Sequence, residues 1–556
     1  MVRGRRRILL VGVWLGCLLV LGVSNAERTA SVNADDGALI QLRGEVVDAE
    51  TREPLPARVY IRGEDGIWHF AQSASPEGSA VEYRKQARQN PGSVEMHTTL
   101  SAHPFVTELP AGEYTVTVER GKEYFPESQR VVLRDRPVSV TIALRRWINM
   151  AKRGWYSGDT HVHRSMEELP NVMLAEDVNV AFPLLYWVTE AFAAPATGPR
   201  SAAKPPDPEP VAVDRTHVVY PLNTEYEIFT VGGKRHTLGA VFVLGHQTVF
   251  EEGVPPVRSV AERAHREGAL LELDKHCWPW SMALVPAMGV DLYELANNHC
   301  WRTEFGFPNF GEPAADYMQV ERDDRGWTEA GWVDYGLQNY YALLNCGFRL
   351  RPTAGTASGV HPVPLGFGRV YVKVRAGFSY EAWLRGLARG RSFVTTGPML
   401  FARVNDRHPG HIFRRRKPGA RIYRITGSAV SSNPLGRLEV VSEGRVVQEL
   451  EPANRRTEAG AYESRFEASF ATDSSTWLAV RCFEDREDGR VRFAHTGPFH
   501  VQIRDRPLRP GKHEVEYLIE RVRREIARGE GVLPEEALAE YREALATYQE
   551  IAETAR

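Results

Sequence analysis

The sequence predicts a multidomain protein of mixed class: a central α/β unit flanked by two β-rich units and closed by a helical segment. Three observations carry this. The chain has 556 residues, too many for one hydrophobic core, so about three or four domains are expected. Short alternating strands with Gly/Pro punctuation fill about 38–146 and again 405–508, the pattern of β-sandwiches. Between them, over about 150–400, strand-like runs alternate with helical ones, and 512–556 reads as two helices.

Composition narrows the function. At 43% hydrophobic and 25% charged the chain is globular in character. A net charge of -2 leaves no overall electrostatic footprint for nucleic acid. Basic runs such as Arg414-Arg415-Arg416-Lys417 read as solvated loops.

Residues 1–26 read as a targeting segment. Arg3 to Arg7 give a basic start, Ile8 to Val23 an apolar run, and Ser24-Asn25-Ala26 a small-x-small cleavage site. The run is short for a membrane span. The mature protein is therefore expected outside the cytoplasm (periplasmic, cell-surface or secreted), with no integral span after cleavage. Trp14 before Cys17 is a poor lipoprotein signal. Cys277, Cys300, Cys346 and Cys482 remain, widely spaced and without a C-x-x-C, which argues against a cysteine zinc cluster. Export permits a disulfide among them, and buried free thiols are the alternative.

In the first β-rich unit, Ile40–Asp48 and Ala57–Ile61 alternate around the turn at Thr51–Pro56. Leu109-Pro110-Ala111-Gly112 turns into a strand through Val118, and Val138–Leu144 is another. The pattern G-x-V-x-D, P-L-P-A-x-V and L-P-A-G-x-Y-x-V resembles the carboxypeptidase-regulatory-like, transthyretin-like modules. These are spacers or binding modules, and no catalytic constellation is visible here. His97 and His103 read as surface or loop residues.

The central unit opens with Gly154–His163, a short strand running into a turn. His161 and His163 are two apart and so share one side of an extended backbone, half of a metal site. Asp159 lies on that side too and can orient a ring. A helix over 167–178 and an apolar strand-like run over 180–189 follow. The Ala/Pro-rich stretch 190–214 reads as a long loop over the site or a disordered insertion. Strands are expected over 218–230 and 238–244, a helix over 257–267, buried strands over 270–274 and 290–295, and a helix over 334–346. A strand over 369–375 and a helix over 380–390 complete the unit. In the last third, Leu438–Leu450 is a hairpin turning at Glu443-Gly444, and 477–483 and 491–503 are strands. Helices are expected over 513–528 and 535–555, broken at Gly529-Glu530-Gly531, with Pro534 at the second start. Their apolar faces are expected to pack on the neighbouring units.

Histidines and carboxylates recur at strand ends: His161 and His163, Glu225, His236, His276 and His299. In a parallel α/β barrel such ends converge on one face. Imidazole and carboxylate together suit Zn, Mn or Fe.

Here the chain resembles a known superfamily. G-D-T-H-V-H, N-T-E-Y-E followed by K-R-H-T-L-G, E-L-D-K-H-C-W-P, V-D-L-Y-E-L-A-N-N and N-C-G-F-R-L-R-P-T-A-G-T-A-S-G are similar to motifs of the PHP metal-dependent hydrolases, and most of all to their CehA/McbA branch. The resemblance covers about 150–400 and implies a distorted (β/α)7 barrel with a metal cluster. It implies His161, His163, Glu225, His236 and His276 as metal ligands. Two motifs depart from the family's pattern. Thr189-Glu190-Ala191 stands where T-D-H is usual, and Gly355-Thr356-Ala357 where G-T-D is usual, with His361 shortly after. One or two divalent ions (Zn, Mn or Fe) are therefore expected rather than three.

The resulting expectation is a metal-dependent hydrolase acting on an ester, carbamate, amide or phosphoester, its substrate a small molecule or a glycan. Glu190, His299 and His361 are the candidates for proton transfer to the leaving group. Trp278, Trp280, Tyr186 and Trp187 would form an apolar wall or ordinary packing. The alternative is a non-catalytic glycan- or protein-binding protein, which the two altered motifs favour.

Overall fold

The computed structural model describes residues 38–88, 90–197 and 205–556. The targeting segment and Cys17 lie outside the described residues. So does part of the 190–214 stretch. Among the described residues, no helix is long and apolar enough to cross a membrane.

The N-terminal unit is a β-sandwich. Its four-stranded sheet includes Ile40–Asp48, Phe105–Leu109 and Val138–Leu144; the facing sheet includes Ala57–Gly63, Ala80–Gln86, Val94–Leu100 and Gly112–Glu119. The period-two burial of Gly112–Glu119 shows why: Tyr114, Val116 and Val118 enter the core while the intervening residues face out. His97 is not a surface residue. It is 1% exposed, with Nδ1 2.9 Å from a carboxylate oxygen of Glu95. The same carboxylate holds Arg302 of the central unit at 2.9 Å. Burial of the ion pair and the ring thus ties the sandwich to the central unit.

The central unit is mixed α/β, as expected, but among the described residues no ring of strands closes. One seven-stranded sheet carries Tyr186–Glu190, Thr224–Val231, Lys234–Leu244, Leu270–Leu273, Leu292–Ala296 and Arg351–Ala354 in that order. The strand Trp155–Val162 belongs to a second sheet, parallel to Val180–Pro183 and antiparallel to Arg369–Lys373. The two sheets face each other, and the His-x-His strand is stitched across the gap. Thr160 donates to the Ala354 carbonyl (3.1 Å) and Ala357 N–H to the His161 carbonyl (2.7 Å).

The second sheet continues without a break through Ser392–Thr395 and Phe493–Thr496 into the C-terminal β-unit. That unit, expected from residue 405, therefore begins with Met399–Val404, and its core takes in Trp155 and Tyr371 of the central unit. The hairpin at Glu443-Gly444 and the strands Thr476–Glu484 and Phe499–Ile503 are observed.

The closing helices run over Lys512–Gly529 and Glu535–Glu553 and pack on the central unit. Glu540 accepts from the N–H groups of Val257 and Arg258 (2.7 and 3.0 Å), capping the helix Arg258–Glu267. Arg521, 1% exposed, donates to the carbonyls of His276 (3.2 Å) and Trp278 (2.7 Å). The four described cysteines are free thiols, three of them buried.

Candidate metal centre

The seven-stranded sheet turns a row of carboxylates toward the His-x-His strand. Glu225 pairs with Phe242, and Phe242 with Glu272. Glu272 pairs with Leu292 and Leu273 with Tyr293, which brings Asp274 level with Glu294. Alternation then places Glu225, Glu227, Glu272, Asp274 and Glu294 on one face.

Opposite them, His161 and His163 present facing nitrogens, Nε2 to Nε2 at 3.2 Å. Glu225 lies 3.9 Å from His161 Nε2 and 3.4 Å from His163 Nε2. The other nitrogen of His161, Nδ1, lies 3.2 Å from Glu294 and 3.6 Å from Asp274. Two groups result: His161, His163 and Glu225, and His161, Asp274 and Glu294. His163, with a side chain 13% exposed against 2% for His161 and Glu225, is the member that faces solvent.

The local sequence explains this approach. A Cβ on Gly355 would meet His161 Cβ at 2.2 Å and a Glu294 oxygen at 2.8 Å, so only glycine fits there. Asp159 fixes the same turn, accepting from the N–H groups of His161 (3.1 Å), Thr356 (3.2 Å) and Gly366 (2.8 Å) and from the Thr356 hydroxyl (2.5 Å). It is a framework residue that orients the backbone, not the ring. Ala357, where the resembled motif carries aspartate, holds a left-handed backbone (φ 48°) beside the His161 carbonyl.

Electrostatically the chamber gathers buried carboxylates. Burial pushes Glu227 and Glu272 up to about 8 and lifts Glu225 and Glu294 well above the usual carboxylate range. Burial and then the His163 charge hold His161 well below its ordinary value, so its ring is neutral. One cation is built in: Lys275, 3% exposed, pairs with Asp274. Burial works against its charge, but Asp274, Glu294 and Glu227 raise it above the ordinary ammonium value.

A divalent ion fits this arrangement. Glu225 Oε2 and Asp274 Oδ1 are buried and have no hydrogen-bond partner among the described residues, and both lie in the groups that face the histidine nitrogens. Neutral imidazole and carboxylate are the donors that Zn, Mn and Fe accept.

Of the five expected ligands, His161, His163 and Glu225 come together and two do not. His236 sits near the hairpin end of its strand, since Thr230 pairs with Arg235 while Glu225 pairs with Phe242. That leaves it roughly 13 Å along the sheet from Glu225. His276 turns away into aromatic packing, its ring 5.0 Å from Trp332 and 4.6 Å from Tyr335. The Arg521 anchor on its carbonyl accompanies this orientation.

Among the proton-transfer candidates, Glu190 is displaced. It pairs at Thr230 and accepts from the Thr230 hydroxyl and the Gly233 N–H (2.9 Å), bonds that lower its pKa at the far hairpin end. His299 and His361 lie on the site's side, near enough for their charges to act on His161. His299 stacks on Phe307 at 3.5 Å, and His361 packs on Trp301 and Phe307. Trp187 lies 6.0 Å from His163, and Trp278 donates to Asp274 (3.0 Å); Trp280 is core packing.

Sequence reasoning missed Asp274, Glu294 and Lys275. The signal was present: acidic residues at alternate positions in otherwise apolar, buried strands.

No protein-family model and no curated protein matches the chain. Among solved structures, a crystal structure of the β-glucuronidase of Parabacteroides merdae aligns at 11% identity, covering 81% of this chain and 61% of that one, with a TM-score of 0.16. The chain thus spans less than two thirds of that enzyme, and a likeness this slight says nothing of fold or activity.

Proposed function

We propose that the protein is an exported metal-dependent hydrolase whose central unit is an open, distorted relative of the PHP barrel. The observation that carries this is the convergence of His161, His163 and Glu225 with Asp274 and Glu294 around buried, unpartnered carboxylate oxygens. These five residues would hold one or two Zn, Mn or Fe ions. A divalent ion there supplies Lewis acidity toward an acyl or phosphoryl oxygen and lowers the pKa of water.

The chain's own residues do the rest. His161 is fixed as a neutral ring between Glu294 and His163. Lys275 holds positive charge among the carboxylates. The aromatic wall of Trp301, Phe307 and Trp332 keeps water from His299. His299 and His361 are the candidates for proton transfer in this reading; burial holds both rings below the ordinary imidazole value, so each must accept a proton before it can pass one to a leaving group. The N-terminal sandwich closes one side, Tyr83 donating to the His361 carbonyl and accepting from Gly359 N–H (2.9 Å). The substrate class of the reading is an ester, carbamate, amide or phosphoester of a small molecule or glycan.

The second reading, a non-catalytic binding protein, draws on Lys275, whose ammonium supplies one cation that an ion would otherwise bring. Hydrolysis of an ester, carbamate and phosphoester panel separates the two. Turnover that chelation removes and added Mn or Zn restores supports the hydrolase. Absence of turnover with metal bound supports the binding protein.

A further inference from the structure

At the opposite pole of the central unit lies a cleft of about 480 Å³ lined by Arg349, Arg375, Arg389, Arg391, Arg407 and Arg414, with three histidines and no acidic residue. None of these six guanidiniums has a hydrogen-bond or ion-pair partner among the described residues. Arg351, also in the lining, is the exception, with Asp291 at 3.1 Å. A second cleft of about 680 Å³ continues the first through Arg349, Arg414 and His500, and adds Arg415, Arg416 and Arg504, again with no acidic residue.

This crowding is built by close packing. Gly390 and Gly410 both hold left-handed backbones, and a Cβ on Gly410 would meet the Arg389 carbonyl oxygen at 1.8 Å. The two glycines let the loop after helix Tyr380–Ala388 cross the loop after strand Met399–Val404, which brings Arg389 and Arg391 beside Arg407. The Arg414-Arg415 run belongs to the strand Ile412–Arg415 paired with Phe499–Ile503, so it is a fixed edge rather than a solvated loop. In a chain with net charge -2, such a gathering of one sign is local. Its neighbours' charges lower His408 and His500, each to about 4, burial coming first in both.

We infer that this double cleft is a binding site for an extended polyanion carrying phosphate or sulfate groups. The guanidinium fork matches two oxygens of a tetrahedral oxyanion, and unpartnered forks on both walls suit a ligand with several such groups. The site is separate from the metal centre. Arg351 opens the strand whose other end leads into Gly355 and Thr356, roughly 16 Å further along.

Titration calorimetry of the full mature chain at low salt tests this, with inorganic tripolyphosphate in one arm and a chondroitin sulfate tetrasaccharide in the other. Saturable binding in either arm is expected, and the tighter arm identifies phosphate or sulfate as the source. The variant Arg349→Ser/Arg391→Ser/Arg414→Ser should bind at least tenfold more weakly. Without ligand it should melt no lower than the parent, since these side chains hold no internal partner. His161→Ala/His163→Ala should bind as the parent does. No saturable binding in either arm, or equal binding by the triple variant, overturns the site. If the triple variant melts lower, Arg391→Gln alone must still weaken binding, and unchanged binding there overturns it equally.

Discussion

The Nε2 atoms of His161 and His163 face one another at 3.2 Å, with Glu225 within 3.9 Å of both rings. Two ring nitrogens facing each other across that gap cannot both carry a proton, so the geometry calls for a shared electrophile or a single proton between them. Everything nearby holds the two rings there: the Asp159 turn, the small Gly355, and the stitch from Ala357 to the His161 carbonyl.

Asp159 accepts four hydrogen bonds with its two carboxylate oxygens, two on each. Asn at this position must turn an NH2 group toward two donors. Asp159→Asn should therefore destabilise the protein by about 2–3 kcal/mol. Urea unfolding of parent and variant measures this; a loss below about 0.5 kcal/mol would show that the turn does not depend on the carboxylate.

Lys275 is a built-in cation of the chamber, paired with buried Asp274. Lys275→Met leaves that carboxylate without its counter-charge, only the Trp278 N–H still donating to it, a loss of about 3–5 kcal/mol in metal-free protein. Added Mn or Zn should recover part of it. Unfolding with and without metal checks this, and equal losses in both conditions would separate Lys275 from the ion site.

Arg521 reaches from the first closing helix to the carbonyls of His276 and Trp278, just after Asp274 and Lys275. Arg521→Met should destabilise by about 2–4 kcal/mol and weaken metal affinity, since the loop carrying Asp274 loses its anchor. A metal titration that leaves the variant's affinity equal to the parent's would confine Arg521 to packing.

His217 lies against Asp214 (2.9 Å) and Asp177 (3.4 Å). Burial lowers its proton affinity, but the two carboxylates raise its pKa above the ordinary 6.5. The folded state thus holds this proton more tightly than the unfolded chain. Its contribution is fully present below the unfolded value and is lost as pH rises through the raised one. The melting-temperature gap between the parent and His217→Asn should shrink from about pH 6 to about pH 9. A gap that widens with pH would contradict the assignment.

Much of this was legible in the sequence, for reasons visible in particular elements. Val138–Leu144 and Ile40–Asp48 match their expected limits because burial alternates along them, in the second as far as Val46. The run expected as one strand over 180–189 breaks at Leu184-Leu185, because Val180–Pro183 and Tyr186–Glu190 join different sheets, a choice that hydrophobic pattern does not encode. The helix Ser281–Met288 is buried on all sides and carries an internal proline, so it has no amphipathic signature. His-x-His was legible because alternation puts both rings on one side. Asp274 and Glu294 were not singled out, because their approach to His161 depends on the register between parallel strands and on how two sheets face each other. His276 is not brought into either group, because the helix Glu329–Asn345 offers its ring an aromatic slot that spacing alone does not reveal.

The most direct measurement is the metal content of the purified mature protein, by elemental analysis, beside the variant His161→Ala/His163→Ala. Near-stoichiometric Zn, Mn or Fe is expected in the parent, about one to two ions per chain, and a small fraction of that in the variant with its circular dichroism unchanged. A parent that stays metal-free after incubation with Mn and Zn, or a variant that holds as much metal as the parent, would contradict a metal centre between these histidines and the acidic row.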